Sequence, residues 1–200
     1  MTIQEKSRLR YESGDTPWDT GRPDKNLVQV ATDRPIEPCS ALEIGCGYGH
    51  NAIWLSKQGF TVTALDVSEI AIEKAKENAD RRGVECNFRA ADFLDETAPG
   101  SSFELVFDRG CFHLHDTPLL RKSFARVVAK QLSQGGLWLS LVGSADDPPR
   151  DTGPPRRTAG EIVDAAEPYF EILSLTSGVF DSNRKRAPRI WVCLMRQRKQ

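Results

Sequence analysis

Apolar residues along this chain fall into two alternating spacings. Ala41-Leu42-Glu43-Ile44 is a short apolar run broken by one carboxylate, and Thr61 to Leu65 is a β-branched run; both read as buried strands. Between them, Asn51 to Gln58 carries Ile53, Trp54 and Leu55 and is followed by Gly59, which predicts a helix with a glycine stop. Ser68 then caps a second helix. It has Glu69 in its first turn, Ile70, Ala71, Ile72, Ala75 and Ala79 as apolar positions, and Gly83 as its stop. Val84 to Arg89 and Phe103 to Asp108 predict the third and fourth strands. From Thr117 to Leu132 the residues Leu119, Leu120, Phe124, Val127, Val128 and Leu132 recur at helical spacing. Gly135-Gly136 reads as a turn into a fifth strand, Leu137 to Val142. A last helix is predicted from Ala159 to Ala166, and Phe170 to Thr176 with Ile190 to Met195 reads as a closing antiparallel pair.

Strands alternating with helices imply an α/β fold, a doubly wound and mostly parallel seven-stranded sheet, Rossmann-like, with the antiparallel pair at one edge. In such sheets ligands bind outside the carboxyl ends of the strands. The expected organisation is a single domain over residues 1–200: a core over 39–200 and an N-terminal cap over 1–38, the latter polar and rich in Pro, Gly and aromatic residues, with Leu27 to Ala31 read as helical. Residues 143–158 are Pro-, Gly- and Asp-rich and read as irregular.

Charge and cysteine content narrow the partners. Lys plus Arg is 27 and Asp plus Glu is 28, a net charge of −1, which gives no field for nucleic acid or an anionic membrane. The basic residues Arg184, Lys185, Arg186, Arg196, Arg198 and Lys199 read as a solvated loop and tail. No apolar run is long enough to span a bilayer, and MTIQEKSRLR is no signal peptide. Five cysteines without C-x-x-C spacing read as reduced thiols, so the expected location is cytoplasmic, with no metal site. The expected state is a monomer or weak dimer with a small-molecule partner.

Candidate chemistry clusters at the strand tips. Gly45, Gly47 and Gly49 alternate after the first strand, permitting a sharp turn and close backbone approach to a ligand. Asp66 ends the second strand 21 residues past Gly45, where an acid accepts hydrogen bonds from ribose hydroxyls. A dinucleotide fingerprint wants Gly or Ala at the sixth position of G-x-G-x-x-G; here that position is His50. Glu43, two residues before the turn, would repel a pyrophosphate and attract a cation. At the third tip, Ala91, Asp92 and Phe93 offer an acceptor for an adenine amino group and a ring to cover it; the alternative for Asp92 is a turn aspartate. The fourth tip holds Asp108, Arg109, Cys111 and His113. Arg109 suits bidentate binding of a carboxylate, with a surface ion pair as the alternative. Cys111 reads as a small buried hydrophobe, and His113 as a base or a pocket wall. His113 with His115 lacks a third metal ligand.

The pattern E-x-G-x-G-x-G formed by Glu43, Gly45, Gly47 and Gly49 resembles the S-adenosylmethionine loop of class I methyltransferases, whose ligand carries an ammonium and a sulfonium. Thr16-Pro17-Trp18-Asp19-Thr20-Gly21-Arg22-Pro23 is similar to the T-P-W-D-x-G-x-x-x-P segment of plant halide/thiol methyltransferases. Asp108-Arg109-Gly110 resembles part of the W-D-R-G segment of thiopurine S-methyltransferases, with Phe107 in place of Trp. Gly153-Pro154-Pro155 followed by Glu161-Ile162 is similar to a stretch of the same superfamily. Bacterial tellurite-resistance methyltransferases resemble the core more than these flanks. The chain departs from the thiopurine enzymes at Ile44-Gly45-Cys46-Gly47-Tyr48 and lacks their insert before the fourth strand.

The resemblance implies methyl transfer from S-adenosylmethionine to a soft nucleophile such as a thiol, thiopurine, halide or chalcogen species. It implies a cofactor site of Trp18, Glu43, Gly45, Cys46, Gly47, Asp66, Val67, Ala91, Asp92, Phe93 and Asp108. With the reading of the fourth tip above, it gives an acceptor site of Trp18, Arg109, Cys111, His113 and Pro154, with His113 and Arg109 as the catalytic candidates. The competing readings are an O- or N-methyltransferase using His113 as base, and a module that binds S-adenosylmethionine without turnover.

Overall fold

A computed structural model describes residues 2–33, 36–94, 102–148, 153–183 and 186–198. Arg184, Lys185 and Lys199 of the basic cluster, and part of the irregular 143–158 stretch, lie outside the described residues.

The core follows the alternation in the sequence. Strands β1 (Ser40–Ile44), β2 (Thr61–Asp66), β3 (Asn87–Ala90), β4 (Phe103–Arg109) and β5 (Leu132–Gly143) are joined by helices α3 (His50–Lys57), α4 (Glu69–Asp80) and α5 (Pro118–Gln131). Helix α6 (Ala159–Ala166) leads into β6 (Phe170–Val179) and β7 (Arg189–Gln197). The seven strands lie in the order β3-β2-β1-β4-β5-β7-β6. Pairing is parallel from β3 to β5 and antiparallel at β5–β7 and β7–β6. Strand order reverses between β1 and β4, so the crevice of the sheet opens at their carboxyl ends.

Successive side chains of a strand point to opposite faces, and the two cores divide accordingly. Leu105 and Phe107 of β4 and Leu139 and Leu141 of β5 join the layer with Leu27, Leu55 and Ile72. Val106, Trp138 and Val142 join Phe112, Phe124, Ile162 and Phe170 on the other side. Capping is as read for α4, where the Ser68 side chain accepts from the Ala71 amide. At α6, Thr158 and Glu161 close a reciprocal capping box.

Three local expectations need correction. The cap contains two helices, not one: α1 (Ile3–Ser13) and α2 (Lys25–Asp33). Helix α1 has no apolar stripe to reveal it. Its ends are fixed by a capping box between Thr2 and Glu5 and by Gly14 in the left-handed region. The third strand begins at Asn87, because Val84 is still held to the end of α4 through the Ala79 carbonyl. Gly135-Gly136 is not a turn before β5 but lies within it. Phe103 pairs with Leu132 and Leu105 with Leu137, so the glycines sit in a bulge.

The ring of Phe124 is 2% exposed and meets Phe93, Phe112, His115 and Trp138 with centroids 5.1–6.0 Å apart. Phe124→Ala is expected to cost about 3–5 kcal/mol of unfolding free energy through the cavity it leaves. The midpoint of urea denaturation measures it.

Candidate active site

The turn from β1 into α3 is built from Gly45, Gly47 and Gly49, with φ of 69°, 53° and 79°. Backbone freedom is needed here for space as well as angle. A Cβ on Gly45 would lie 2.2 Å from the Cys111 sulfur, and one on Gly49 would lie 2.9 Å from the Phe88 ring. The Cys46 amide donates to the Leu65 carbonyl at 2.9 Å, tying the turn to β2.

Asp66 closes one side of this turn. Its Oδ2 accepts from the Gly47 amide at 2.9 Å and its Oδ1 from the Ser68 amide at 3.0 Å. The Tyr11 hydroxyl lies over the same turn, 3.0 Å from where a Gly47 Cβ would stand. Burial raises the Asp66 carboxyl, and the two amide donors pull it back. Burial and the neighbouring Asp66 hold Tyr11 well above the ordinary phenol range. The Tyr11 ring packs edge-on against Trp18 at 5.9 Å and tilted against Tyr48 at 5.4 Å. The cap therefore lies directly on the glycine turn.

Glu43 sits beneath it, 1% exposed. Its Oε1 accepts from Asn51 Nδ2 at 2.9 Å, while Oε2 has no partner among the described residues. Burial pushes this carboxyl up to about 8 against the pull of the Asn51 hydrogen bond. Asn51 Oδ1 accepts from the Asp24 amide at 2.8 Å. Asp24 pairs through Oδ2 with Arg109 Nε at 2.6 Å. Arg109 also donates to the Asp181 carbonyl and lies 4.9 Å over the Phe180 ring. The Asp181 carboxylate is gripped by Arg22 at 2.7 and 3.0 Å.

Trp18, Gly45, Cys46, Gly47 and Arg109 thus line one cleft, as expected from the sequence, together with Asp19, Tyr48, His50 and Asn51. The cleft encloses only about 50 Å³, whereas an open cavity of about 670 Å³ lies further along the same sheet edge at Ser144, Asp146, Gly178 and Arg189. The smaller space holds the polar groups suited to a cofactor, with the cap laid over it.

Other expected site residues are placed differently. Asp108 is fully buried, and its carboxylate accepts from the Cys111 and Phe112 amides at 3.1 Å and the Trp138 indole at 2.9 Å. It shapes the turn after β4 and faces inward. Phe93 is 4% exposed and its ring packs tilted on Phe124 in the core. Asp92 accepts from the Leu94 amide at 2.9 Å, the turn geometry of its alternative reading. The Ala91 amide donates to the Asp66 carbonyl at 2.9 Å, so the chain from Val67 to Ala91 starts and ends beside the acid. The Cys111 sulfur points to the Ile44 carbonyl at 3.3 Å, and burial holds its thiol well above the ordinary range, which suits packing and not nucleophilic attack. His113 Nδ1 accepts from the Gly143 amide at 2.9 Å, and burial pushes the ring down to about 3. Its remaining nitrogen carries a proton, so the ring can donate a hydrogen bond but not take a proton at neutral pH. Pro154 precedes Pro155, whose carbonyl sits where a Gly143 Cβ would be, 2.2 Å away.

Tyr11, Asp24, His50 and Asn51 were not singled out as site residues from the sequence. His50 and Asn51 had a signal, the first helical positions after a glycine turn. Asp24 directly follows the segment carrying Trp18, and Tyr11 had none.

Strand order, glycine turn and the acid at the β2 tip define the class I methyltransferase fold. Residues 41–136, just under half of the chain, match the family described as a methyltransferase domain. It is 31% identical over 151 residues to thiocyanate methyltransferase 1 of Brassica oleracea, covering 74% of this chain and 65% of that one; it spans less than two thirds of that relative's length. Its fold superposes with a TM-score of 0.86 at 24% identity, over 98% of this chain and 92% of the other, on a protein solved in work on the conversion of a disulfide bond into a thioacetal group during echinomycin biosynthesis. The 1,6-didemethyltoxoflavin-N1-methyltransferase of Burkholderia thailandensis, solved with its substrate and S-adenosylhomocysteine, gives 0.78 at 19% identity, over 98% and 88%.

Glu43 makes stability depend on pH. Its carboxyl titrates near the ordinary glutamate value when unfolded and at about 8 when folded. The folded state therefore holds a proton that the unfolded state releases, and stability is lost as pH rises from about 4.5 to about 8. Glu43→Gln is expected to stabilise the protein relative to the wild type at pH 8 and to bring no such gain at pH 4.5. Chemical denaturation at both values checks the sign.

Proposed function

We propose that this chain transfers the methyl group of S-adenosylmethionine to a small soft nucleophile: a thiol or thiopurine-like compound, a halide or another chalcogen species. The observation that carries the reading is the buried Glu43 carboxyl with an unpartnered oxygen under a triple-glycine turn. An ammonium over that oxygen would draw the buried carboxyl back to its ionised form and pair with it, whereas a pyrophosphate would oppose its ionisation. The Gly45–Gly47 backbone would hold the amino-acid end of the cofactor. Asp66, with Val67 beside it, would take the ribose hydroxyls, and the Ala91–Asp92 turn the adenine amino group. Trp18 would cover the cofactor. The cofactor supplies an electrophilic methyl on a sulfonium; the chain positions, encloses and excludes water, which can supply roughly 7–11 kcal/mol of the barrier.

Sulfur and halide acceptors are favoured because the T-P-W-D segment places Trp18 in the cleft and because a relative carries the name thiocyanate methyltransferase. His113 offers no lone pair to an oxygen or nitrogen acceptor, which weighs against the reading that makes it a base. Arg109 could receive a carboxylate only by exchanging it for Asp24. No helix among the described residues is long and apolar enough to cross a membrane. We take the protein to act in the cytoplasm, as one domain over the whole chain and as a monomer or weak dimer, without nucleic acid. The five free cysteines agree with a reducing compartment.

Release of S-adenosylhomocysteine across thiols, halides and phenols tests the reading. Turnover is expected with thiols or halides and not with phenols. His113→Asn should keep most of it; a thousandfold loss in a folded variant that still binds cofactor would make His113 the base. Binding without turnover on any acceptor would favour a sensing module. Asp66→Ala should weaken cofactor binding by about 1–3 kcal/mol in calorimetry, and unchanged affinity would remove it from the ribose site.

A further inference from the structure

We infer that His50, oriented by Asp19, is the proton acceptor of this active site, and that the acceptor it serves is a neutral thiol. The inference rests on the proposed methyl transfer and specifies the form in which sulfur enters.

His50 is the first residue of α3, directly after Gly49, and lines the cleft with Trp18, Gly47 and Arg109. Its Nε2 lies 3.1 Å from Asp19 Oδ1. Asp19 is fixed in turn: its amide donates to the Thr16 carbonyl at 2.9 Å, its Oδ1 accepts from the Gly21 amide at 3.1 Å, and its carbonyl accepts from Asn183 at 2.7 Å. With the proton on Nε2 directed to the carboxylate, Nδ1 carries the bare lone pair. That atom is shielded from solvent and has no partner among the described residues. A carboxylate that orients an imidazole and stabilises its charged form, with the second nitrogen free, is the arrangement of a general base.

The other two histidines do not offer this. His113 has its acceptor nitrogen filled by the Gly143 amide. His115 packs its ring 5.1 Å from Phe124, inside the second core. The remaining charged groups of the cleft, Arg22, Asp24 and Arg109, are tied to one another or to Asp181. Burial and the positive charge of Arg82 oppose protonation of His50 while Asp19 favours it, so the resting imidazole is neutral and able to accept.

The step balances simply. The thiol proton passes to His50 Nδ1, leaving its bonding pair on sulfur. That pair forms the new S–CH₃ bond as the carbon–sulfonium bond breaks, and its electrons neutralise the sulfonium. The methyl thioether and S-adenosylhomocysteine leave, and the proton returns to water when the cleft opens. An acceptor that is already an anion has no proton to give and gains nothing from His50.

This difference is the test. Wild type, His50→Asn and Asp19→Asn are compared at pH 7 with alkyl and aryl thiols spanning pKa values of about 6 to 10, with thiocyanate and iodide as anionic controls; calorimetry with S-adenosylhomocysteine confirms that each variant binds. For a thiol near the reference pKa of about 8.5, His50→Asn is expected to lower kcat/KM by roughly thirtyfold, the thiol-to-thiolate ratio at pH 7. The loss should grow with thiol pKa and vanish for the anions; Asp19→Asn should show the same slope, more weakly. An equal loss on thiols and anions, or none on the high-pKa thiols, overturns the inference and leaves the methyl-transfer reading standing. A wild type that binds S-adenosylhomocysteine but methylates none of these acceptors overturns both. Should His50→Asn fail to bind, His50→Gln is measured in the same series.

Discussion

Glu43 lies at the tip of the central strand with both carboxyl oxygens out of water, and one of them has nothing to accept from. A buried carboxyl in that position is costly unless what lies over it is polar and fixed. The chain answers with a relay. Asn51 reaches down to Glu43 and up to the Asp24 amide, Asp24 holds Arg109, and Arg109 reaches the Asp181 carbonyl. Arg22 holds the Asp181 carboxylate from outside. In five contacts the first strand is joined to the cap, to the fourth strand and to the segment before β7. The cap's seating and the orientation of Arg109 both follow from the demand set by one carboxylate.

The second fixed point is Asp66. Its oxygens take the Gly47 and Ser68 amides, and the Tyr11 hydroxyl of the cap lies over the same turn. The acid that ends β2 thus holds the glycine turn from one side while the cap covers it from the other.

Much of this was legible in the sequence because it rests on local rules. The core strands and helices announced themselves through spacing and caps, and Glu43, Asp66 and the glycines through their places at strand tips. Where reading failed, the deciding contact was distant in sequence. Asp108 looked like a ligand from its position, but the Trp138 indole on the neighbouring strand turns it inward. For His113, open between base and pocket wall, the contact that bears on the choice is the Gly143 amide on its acceptor nitrogen, 30 residues away. His50 was first counted as the residue that breaks a dinucleotide pattern; its significance appears only when Asp19 arrives from the cap. Helix α1 had its end signals in Thr2, Glu5 and Gly14, yet with Tyr11 the one deeply buried side chain among its described residues it lacked the periodicity that identifies a helix.

The sulfur of Cys111 occupies the space a Gly45 side chain would need. Two positions 66 residues apart in the chain are therefore, in hereditary terms, a single locus. Nothing bulkier than hydrogen is admissible at 45 while cysteine stands at 111. A shortening at 111 opens a void beneath the turn before it permits any change above. Drift at either site is checked by the other, and the thiol is retained for its volume, whatever its reactivity.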